Sequence, residues 1–330
     1  MAKSKSFWSW DAMLLALLVV SLFVGRAFSQ DFLGTDNVGN LLASVVEIGL
    51  MALGLTLVVV AAEIDLSIAA ILGMASGLLG VLFKAGVPMP MAIALVLLMG
   101  AAAGAFNGLL VTKLRLPSLA VTIGTMALFR GITYILLGDE AVASFPAHYT
   151  AFGFDMLGST FLPLTYVFLL IPLALVFILI LQFSGIGRLI YAMGANETAV
   201  RFSGVDAARI KVWLFVVSGL MSALAGIVYT LRFSSARADN GTGFELNVVA
   251  AVLFGGVSIF GGRGTLVGVL LAVLIMGVFN NALTLFDVSN EILTIVTGLL
   301  LLSSVLVPNL AERWRVRKLR RAVMATVKAM

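Results

Sequence analysis

The stretch LLASVVEIGLMALGLTLVVVAA occupies residues 41–62 and contains a single charged side chain, Glu47. A helix needs about 20 consecutive apolar residues to cross the hydrocarbon core of a bilayer, and this stretch has that length. The rest of the chain is similarly apolar, since 61% of its 330 residues are hydrophobic and only 11% are charged. Soluble domains contain about a quarter charged residues. The stretch and its surroundings therefore predict an all-α polytopic membrane protein.

Further apolar runs of comparable length predict about ten transmembrane segments in all. We interpret the first run as a span rather than a cleaved signal peptide, because Arg26, Ser29 and Gln30 follow it without a cleavage signal. The other nine predicted spans lie near residues 10–28, 66–83, 90–111, 119–137, 162–183, 212–231, 248–262, 265–286 and 292–307.

The distribution of lysine and arginine predicts the orientation, because cytoplasmic loops are enriched in both. If the N-terminus is cytoplasmic and ten spans alternate, most of the 21 basic residues fall on the inner side. Both termini are then cytoplasmic, at a bacterial inner membrane. We interpret the basic tail at 311–330 as a topology anchor that touches anionic lipid, and not as a nucleic-acid-binding arm.

Two parts of the chain resemble each other. Asp65–Leu72 aligns with Glu245–Val252, and Phe106–Leu109 aligns with Phe279–Ala282. In the predicted topology Asp65 and Glu245, the acidic residues that begin the aligned stretches, face opposite sides of the membrane. This indicates two inverted five-segment halves, as in many transporters. Chance similarity between apolar helices is the alternative. The predicted organisation is one transmembrane domain over 1–330, with halves at 1–161 and 162–310 and the tail at 311–330.

Polar side chains within the spans are candidates for a solute pathway, because they are costly to place in lipid. Neutral donors and acceptors suit a polyhydroxylated solute, which needs hydrogen bonds but no counter-charge. Hydrogen bonding between helices is the alternative role for the same groups. The pathway candidates are Asp65, Ser67, Asn107, Thr122, Thr125, Asn247, Asn280 and Asn281.

Charged groups and missing motifs narrow the chemistry further. A helix that begins after Asp65 gains an N-cap there, which is the structural alternative to solute contact. Glu47 and Arg130 both fall within predicted spans and form a candidate ion pair.

The sequence has no cysteine and a single histidine, His148, so cysteine and histidine-cluster metal sites are excluded. It also lacks a Walker phosphate-binding loop, so we expect no cofactor in this chain.

The polar segment between the sixth and seventh predicted spans predicts a short capped helix at the cytoplasmic face. Asn196 suits the N-cap, Glu197 suits the first turn, and Gly204 suits the left-handed position after the helix. Such a helix offers a surface to which a partner protein can bind. An ordinary connecting loop on the lipid headgroups is the alternative.

Four stretches resemble the permease subunits of bacterial monosaccharide ABC importers, the ribose, arabinose, xylose and rhamnose group. Autoinducer-2 and branched-chain amino acid permeases are also similar. Ser234–Asp239 resembles the rhamnose and autoinducer-2 branch, whereas Glu63 departs from the family, which often has glycine there. The four stretches are Glu63–Ser67, Asn107–Thr125, Gly187–Gly204 and Ala250–Gly264.

The resemblance implies a complex of two permease subunits, identical or paralogous, with a cytoplasmic ABC ATPase and a periplasmic solute-binding protein. It implies that ATP and Mg²⁺ bind to the ATPase, and that this chain has no ATPase site. It also implies import of a monosaccharide, such as rhamnose or a related sugar-like solute, by alternating access. The residues that it assigns to coupling with the ATPase are Arg188, Gly194, Asn196, Glu197, Ala199, Arg201, Ser203 and Gly204.

Two other functions stay open on the sequence. A branched-chain amino acid ABC permease would need charged partners for both termini of its solute, whereas the pathway candidates are mainly neutral. A gradient-driven secondary transporter would suit Glu47, Arg130 and the inverted halves, but not the capped cytoplasmic helix. A membrane-embedded enzyme is disfavoured because no paired catalytic residues can be named.

Overall fold

The structure, a computed structural model, describes residues 5–285 together with 288, 292, 295, 298–299 and 302. The predicted tail at 311–330 lies outside the described residues, as does most of the predicted span at 292–307. The helices are α1 (Lys5–Phe28), α2 (Thr35–Ser44), α3 (Val46–Val60), α4 (Ile68–Lys84), α5 (Met89–Lys113), α6 (Ser118–Leu137), α7 (Ala147–Phe154), α8 (Tyr166–Phe183), α9 (Gly185–Phe202), α10 (Ala207–Phe233), α11 (Phe244–Phe254) and α12 (Leu266–Leu285).

Seven helical segments within the described residues are long and apolar enough to cross a membrane. They are α1, α2 and α3 taken together as Thr35–Val60, α5, α6, α8, α10 and α12. Helices α4 and α11 are apolar but shorter, at 17 and 11 residues. The prediction of an all-α polytopic membrane protein is confirmed. Ten crossings, cytoplasmic termini and inverted halves stay predictions.

Two predicted spans differ from the helices that form. The run at 41–62 lies in two helices, which meet at Val45, and the first of them begins earlier, at Thr35. The run at 248–262 is not one continuous helix, because α11 ends at Phe254 and a glycine-rich turn follows. Hydropathy correctly identified both runs as apolar, but it carries no information about where the backbone leaves the helix.

A short β-ladder, which the sequence did not predict, joins two loops. Strands β1 (Val142–Ala143) and β2 (Ser235–Ala236) pair antiparallel, with Val142 opposite Ala236. The ladder connects the chain that leaves α6 with the chain that leaves α10. These two helices therefore end on the same side of the bundle.

Helix α10 is the centre of the bundle and packs against α3, α4 and α5. Helix α3 is buried on nearly all its faces, and its residues Leu50 and Leu53 are fully buried in the main core with Phe215 of α10. By contrast, large apolar side chains such as Ile135 and Phe183 are exposed on the outer helices. An apolar exterior of this kind is expected where lipid is the solvent.

The candidate ion pair between Glu47 and Arg130 is wrong. Glu47 lies in the first turn of α3, is fully buried, and accepts a hydrogen bond of 2.7 Å from Nε of Arg232 on α10. Arg130 donates instead to the backbone carbonyls of Ala238 and Asn240, at 3.1 and 2.7 Å. Glu47 and Arg130 thus each bind a group at or just after the end of α10. Because they do not contact each other, the structure gives no support for a proton relay between them.

Candidate functional site

The segment 61–67, here called the first break, joins α3 to α4 without helical structure. Backbone groups at helix ends lack partners within their own helix and need others. Helix α6 supplies them: Ser118 Oγ accepts from the Ile64 amide at 3.1 Å, and Thr122 Oγ1 donates to the Ile64 carbonyl at 3.3 Å. The first break is therefore held against α6 by side chains of that helix.

Four buried side chains form a polar cluster beside the first break, and all four are 0% exposed: Asp65, Ser67, Asn107 and Ser218. Asp65 Oδ1 accepts from the amide and the hydroxyl of Ser67, at 3.0 and 2.6 Å, and Oδ2 accepts from Ser218 Oγ at 2.9 Å. Asn107 Nδ2 donates to Ser67 Oγ at 2.8 Å. The cluster therefore connects the first break with α5 and α10.

The predicted N-cap role of Asp65 needs a correction. Helix α4 begins at Ile68, and the N-cap position belongs to Ser67, which makes no capping bond with its side chain. Asp65 lies two residues earlier and accepts the Ser67 amide. Its carboxylate still lies near the positive end of the α4 dipole, which favours a negative charge.

Five of the eight predicted pathway residues meet at the first break. Asp65, Ser67 and Asn107 belong to the polar cluster, and Thr122 contacts Ile64. Thr125 Oγ1 donates to the Thr122 carbonyl at 3.4 Å, and Thr125 also lines an apolar groove of about 360 Å³ between α5 and α6. The polar cluster is closed to solvent in this conformation, and the adjoining groove is almost entirely apolar.

The other three predicted pathway residues lie elsewhere. Asn281 of α12 and Asn37 of α2 exchange two amide hydrogen bonds, at 2.8 and 2.9 Å. Asn280 is the neighbouring residue on α12, and Asn247 is partly exposed on α11. A satisfied amide pair is the arrangement expected of helix-to-helix bonding. A pathway role for these three residues stays a prediction.

The predicted capped helix forms, but as the last part of a longer one. Helix α9 begins at Gly185 and is kinked at Asn196, whose φ and ψ are −162° and 92°. Asn196 Oδ1 accepts from the Ala199 amide at 3.0 Å, which confirms the predicted N-cap. Gly204 follows the helix with a φ of +81°, which confirms the left-handed position. We call residues 196–204 the coupling segment.

The coupling segment has an outer and an inner face. Phe202 is 89% exposed, whereas Val200 is buried against Met193 and Ala207. All eight predicted coupling residues are at least partly exposed on or near this segment: Arg188, Gly194, Asn196, Glu197, Ala199, Arg201, Ser203 and Gly204.

The inner face of α9 binds the first break through an ion network. Glu197 Oε2 lies 2.7 Å from Lys211 Nζ, and the same Nζ lies 2.5 Å from Glu63 Oε1 in the first break. Burial raises the pKa of Glu197, but hydrogen bonds and charges from Lys211 and Arg201 outweigh burial and hold that pKa below its ordinary value.

Helix α9 also touches a second break, residues 255–265 between α11 and α12. Tyr191 Oη donates to the Gly264 carbonyl at 2.6 Å. A Cβ on Gly194, the eighth predicted coupling residue, would approach both the Val60 carbonyl oxygen and the Gly262 amide far inside contact distance. The Gly262 amide itself donates to the Val60 carbonyl at 2.8 Å. Gly194 is therefore partly exposed but also packs closely against the end of α3 and the second break.

Two residues of the site, Ser218 and Lys211, were missed by the sequence reasoning. Ser218 binds Asp65 from 153 residues away, and Lys211 binds Glu63 from 148 residues away. Ser218 lies in an apolar helix that also contains other serines, and Lys211 was treated only as a topology signal. A weak signal existed for Lys211, since it is a charged residue in a predominantly apolar helix.

A multi-pass helical protein with a buried polar cluster at a helix break, and an exposed capped segment at one end, has the architecture of a membrane transport protein. Residues 37–305 match a family model described as the permease component of a branched-chain amino acid transport system. The chain belongs to this family of ABC importer permeases, as the resemblance predicted. It is accordingly a multi-pass protein of the bacterial inner membrane.

Curated relatives match over almost their entire length. The chain is 35% identical over 310 residues to the ribose import permease protein RbsC of Haemophilus influenzae, and the alignment covers 91% of this chain and 92% of the relative. It is 36% identical over 292 residues to RbsC of Bacillus subtilis, with 88% and 89% covered. It is 34% identical over 302 residues to the autoinducer 2 import system permease protein LsrD of Escherichia coli, with 89% and 90% covered. No solved structure matches the chain.

Proposed function

We propose that this chain is the membrane-spanning subunit of an ATP-driven importer that brings a monosaccharide into the cytoplasm. The observation that carries the proposal is the similarity to ribose import permeases, at 35% identity over 91% of this chain. Ribose is the first solute to test. Rhamnose is the second, because Ser234–Asp239 resembles that branch of the group.

The chemistry of the polar cluster favours a sugar over an amino acid. Its hydrogen-bonding groups are one carboxylate, two hydroxyls and one amide, and no cation is bonded to it among the described residues. An amino acid needs a cation for its carboxylate and an anion for its ammonium group. A sugar needs only donors and acceptors, which all four side chains provide.

The coupling segment is the surface that we assign to the ATPase. Its outer face exposes Phe202 beside Arg201, so it offers one large apolar anchor next to a positive charge. Aromatic and arginine side chains are the groups that most often dominate binding at protein interfaces. ATP and Mg²⁺ would bind to that partner, whose closure would move the coupling segment and, with it, the first break.

The remaining partners follow from the same assignment. A periplasmic solute-binding protein would dock at the opposite end of the bundle, where α7 and the β1–β2 ladder lie. A second permease subunit, identical or paralogous, would complete the membrane channel. Alternating access between them would expose the polar cluster, which is closed in this conformation, to the solute.

The proposal is tested by purifying the tagged chain from its own host together with the ABC ATPase and solute-binding protein that associate with it. Reconstituted liposomes would then be assayed for uptake of labelled ribose, rhamnose and leucine. We expect sugar uptake that requires both ATP and the binding protein, with no leucine uptake. Uptake driven by a proton gradient without ATP would overturn the proposal in favour of a secondary transporter, and leucine uptake would favour the amino acid permease.

Docking of the ATPase has its own test. Phe202→Asp should sharply lower the amount of ATPase that copurifies, because a charge replaces the exposed anchor. Phe154→Asp is the matched control, since Phe154 is also exposed, at 63%, but lies on α7. Equal ATPase recovery from both variants would remove the coupling segment as the docking surface.

A further inference from the structure

We infer that Lys211 is the residue that transmits movement of the coupling segment to the first break. It would act as a positioning residue, which joins two moving parts without contacting solute or ATP. The inference rests on the proposed function, since it assigns a role within ATP-driven import. It concerns two residues, Lys211 and Glu63, that lie outside the coupling segment itself.

The contacts form a continuous path from the surface into the bundle. Arg201 Nη2 lies 2.6 Å from Glu197 Oε1, and Glu197 Oε2 lies 2.7 Å from Lys211 Nζ. Lys211 Nζ then lies 2.5 Å from Glu63 Oε1. The exposed fraction of the side chains falls along this path, from 57% for Arg201 to 30% for Glu197 and 10% for Lys211. The path therefore begins where a partner can reach it and ends inside the protein.

Lys211 bridges two carboxylates that belong to separate parts of the fold. Glu197 moves with the coupling segment, whereas Glu63 belongs to the first break. Because the Glu63 side chain is only 13% exposed, water screens this pair poorly, and loss of Lys211 would leave two carboxylates facing each other. The ammonium group is thus the contact that keeps the two segments together.

The first break is short, so a displacement of Glu63 would also displace the polar cluster. Glu63 is two residues before Asp65, and Ile64 between them is bonded to Ser118 and Thr122 of α6. Asp65 is bonded to Ser218, which lies two helical turns from Lys211 on α10. Movement of Glu63 relative to α10 would therefore change the hydrogen bonds of Asp65.

The test is a set of variants in the reconstituted complex. Lys211→Met removes the charge but keeps much of the side-chain volume, and Lys211→Arg restores the charge. Arg209→Met is the matched control, because Arg209 lies on the same helix and is 78% exposed. The readouts are the ratio of ATPase to permease after purification, ATP hydrolysis, and solute transported per ATP hydrolysed.

We expect Lys211→Met to retain the ATPase but to transport about tenfold less solute per ATP, within the range typical of coupling between sites. Lys211→Arg should recover most of that loss, and Arg209→Met should match the wild type. Unchanged transport per ATP in Lys211→Met would overturn the inference. Loss of ATPase binding would overturn it too, because Lys211 would then act in docking.

Glu63→Gln provides an independent measurement, and it decides the question if Lys211→Met does not accumulate as folded protein. It should lower transport per ATP in the same direction. The double variant should fall no further than Lys211→Met alone, because both substitutions break one connection. Additive losses would show two separate effects. Failure of the wild-type complex to use ATP would instead refute the proposed function, and the two failures are distinguishable.

Discussion

The first break, residues 61–67, and the second break, residues 255–265, both interrupt apolar helices, yet different atoms hold them in place. The first is held by side chains, through the Asp65 carboxylate and through the Glu63–Lys211 pair. The second contributes mainly backbone atoms: the Gly262 amide donates to the Val60 carbonyl, and the Gly264 carbonyl accepts from the Tyr191 hydroxyl.

This difference separates a part that can rearrange from a part that cannot. Hydrogen bonds between side chains can be exchanged for others, so the first break can adopt a second arrangement at moderate cost. Glycine backbone packed against backbone has no free volume to move into, and protein interiors resist such displacement. We interpret the first break as the movable element of the site and the second as its fixed support.

The largest effect is expected from removing the centre of the first break. Asp65→Ala would leave the Ser67 amide, the Ser67 hydroxyl and the Ser218 hydroxyl without their acceptor. At about 1 kcal/mol or more for each unsatisfied buried donor, we expect a loss of about 3 kcal/mol in the free energy of unfolding. Thermal unfolding in detergent measures this, with Asp155→Ala as the control because Asp155 is exposed. Equal midpoints for the two variants would contradict the interpretation of the cluster.

A smaller but still large effect is expected where α9 meets the second break. In Gly194→Ala, the new Cβ would clash with the Val60 carbonyl and the Gly262 amide, neither of which can turn aside. We expect a loss of about 2 kcal/mol in the free energy of unfolding, as is typical of overpacked sites.

Gly124→Ala is the control for this substitution, because nothing lies within 4 Å of its added Cβ. Within a helix, replacement of glycine by alanine is favourable by up to about 1 kcal/mol, so this control should be neutral or stabilising. If Gly194→Ala were as stable as the control, the second break would have room to move, and the contrast between the two breaks would fail.

Local signals in the sequence were sufficient to predict the coupling segment. The N-cap at Asn196 and the left-handed Gly204 depend on residues within a few positions of each other, and both are confirmed. Hydropathy was sufficient for the polytopic helical fold. It failed at Val45 and Phe254, where the helices end inside apolar runs, because hydropathy does not show where the backbone leaves the helix.

The candidate site was predictable only where a polar residue was conspicuous in an apolar span. Asp65, Ser67 and Asn107 were found in that way, and the structure brings them together. Ser218 and Lys211 were missed because their partners are distant in sequence. The same lack of three-dimensional information produced the wrong pairing of Glu47 with Arg130, since the sequence cannot show which buried charges meet.

Two serines on α10 allow a sharper test of the first break. Ser218 Oγ donates to Asp65, whereas Ser222 Oγ donates to the Ser218 carbonyl within its own helix, at 2.8 Å. Both are fully buried. We expect Ser218→Ala to lose about 1 kcal/mol in the free energy of unfolding, the typical value for one buried hydrogen bond, and Ser222→Ala to lose much less. Equal losses would mean that the bond to Asp65 adds nothing specific.

The smallest effect concerns the ion network that joins α9 to the first break, and it appears only on titration. Because Lys211 and Arg201 hold the pKa of Glu197 below its ordinary value, this carboxylate stabilises the folded state above its unfolded pKa of about 4.3. That contribution is lost as the pH falls through the lower, folded-state pKa. The difference in unfolding temperature between the wild type and Glu197→Gln should therefore be the same at pH 8 and pH 6.

The difference should begin to shrink only as the pH approaches about 4.3, because the unfolded state then binds a proton while the folded state is still ionised. Asp206→Asn is the control, since Asp206 is exposed and 3.9 Å from Arg209 in a separate pair. A wild type that instead gains stability relative to Glu197→Gln as the pH falls from 7 to 6 would mean that burial dominates and raises the pKa of Glu197. The network would then be only partly charged at neutral pH, and the side-chain attachment of the first break to α9 would be weaker than its geometry indicates.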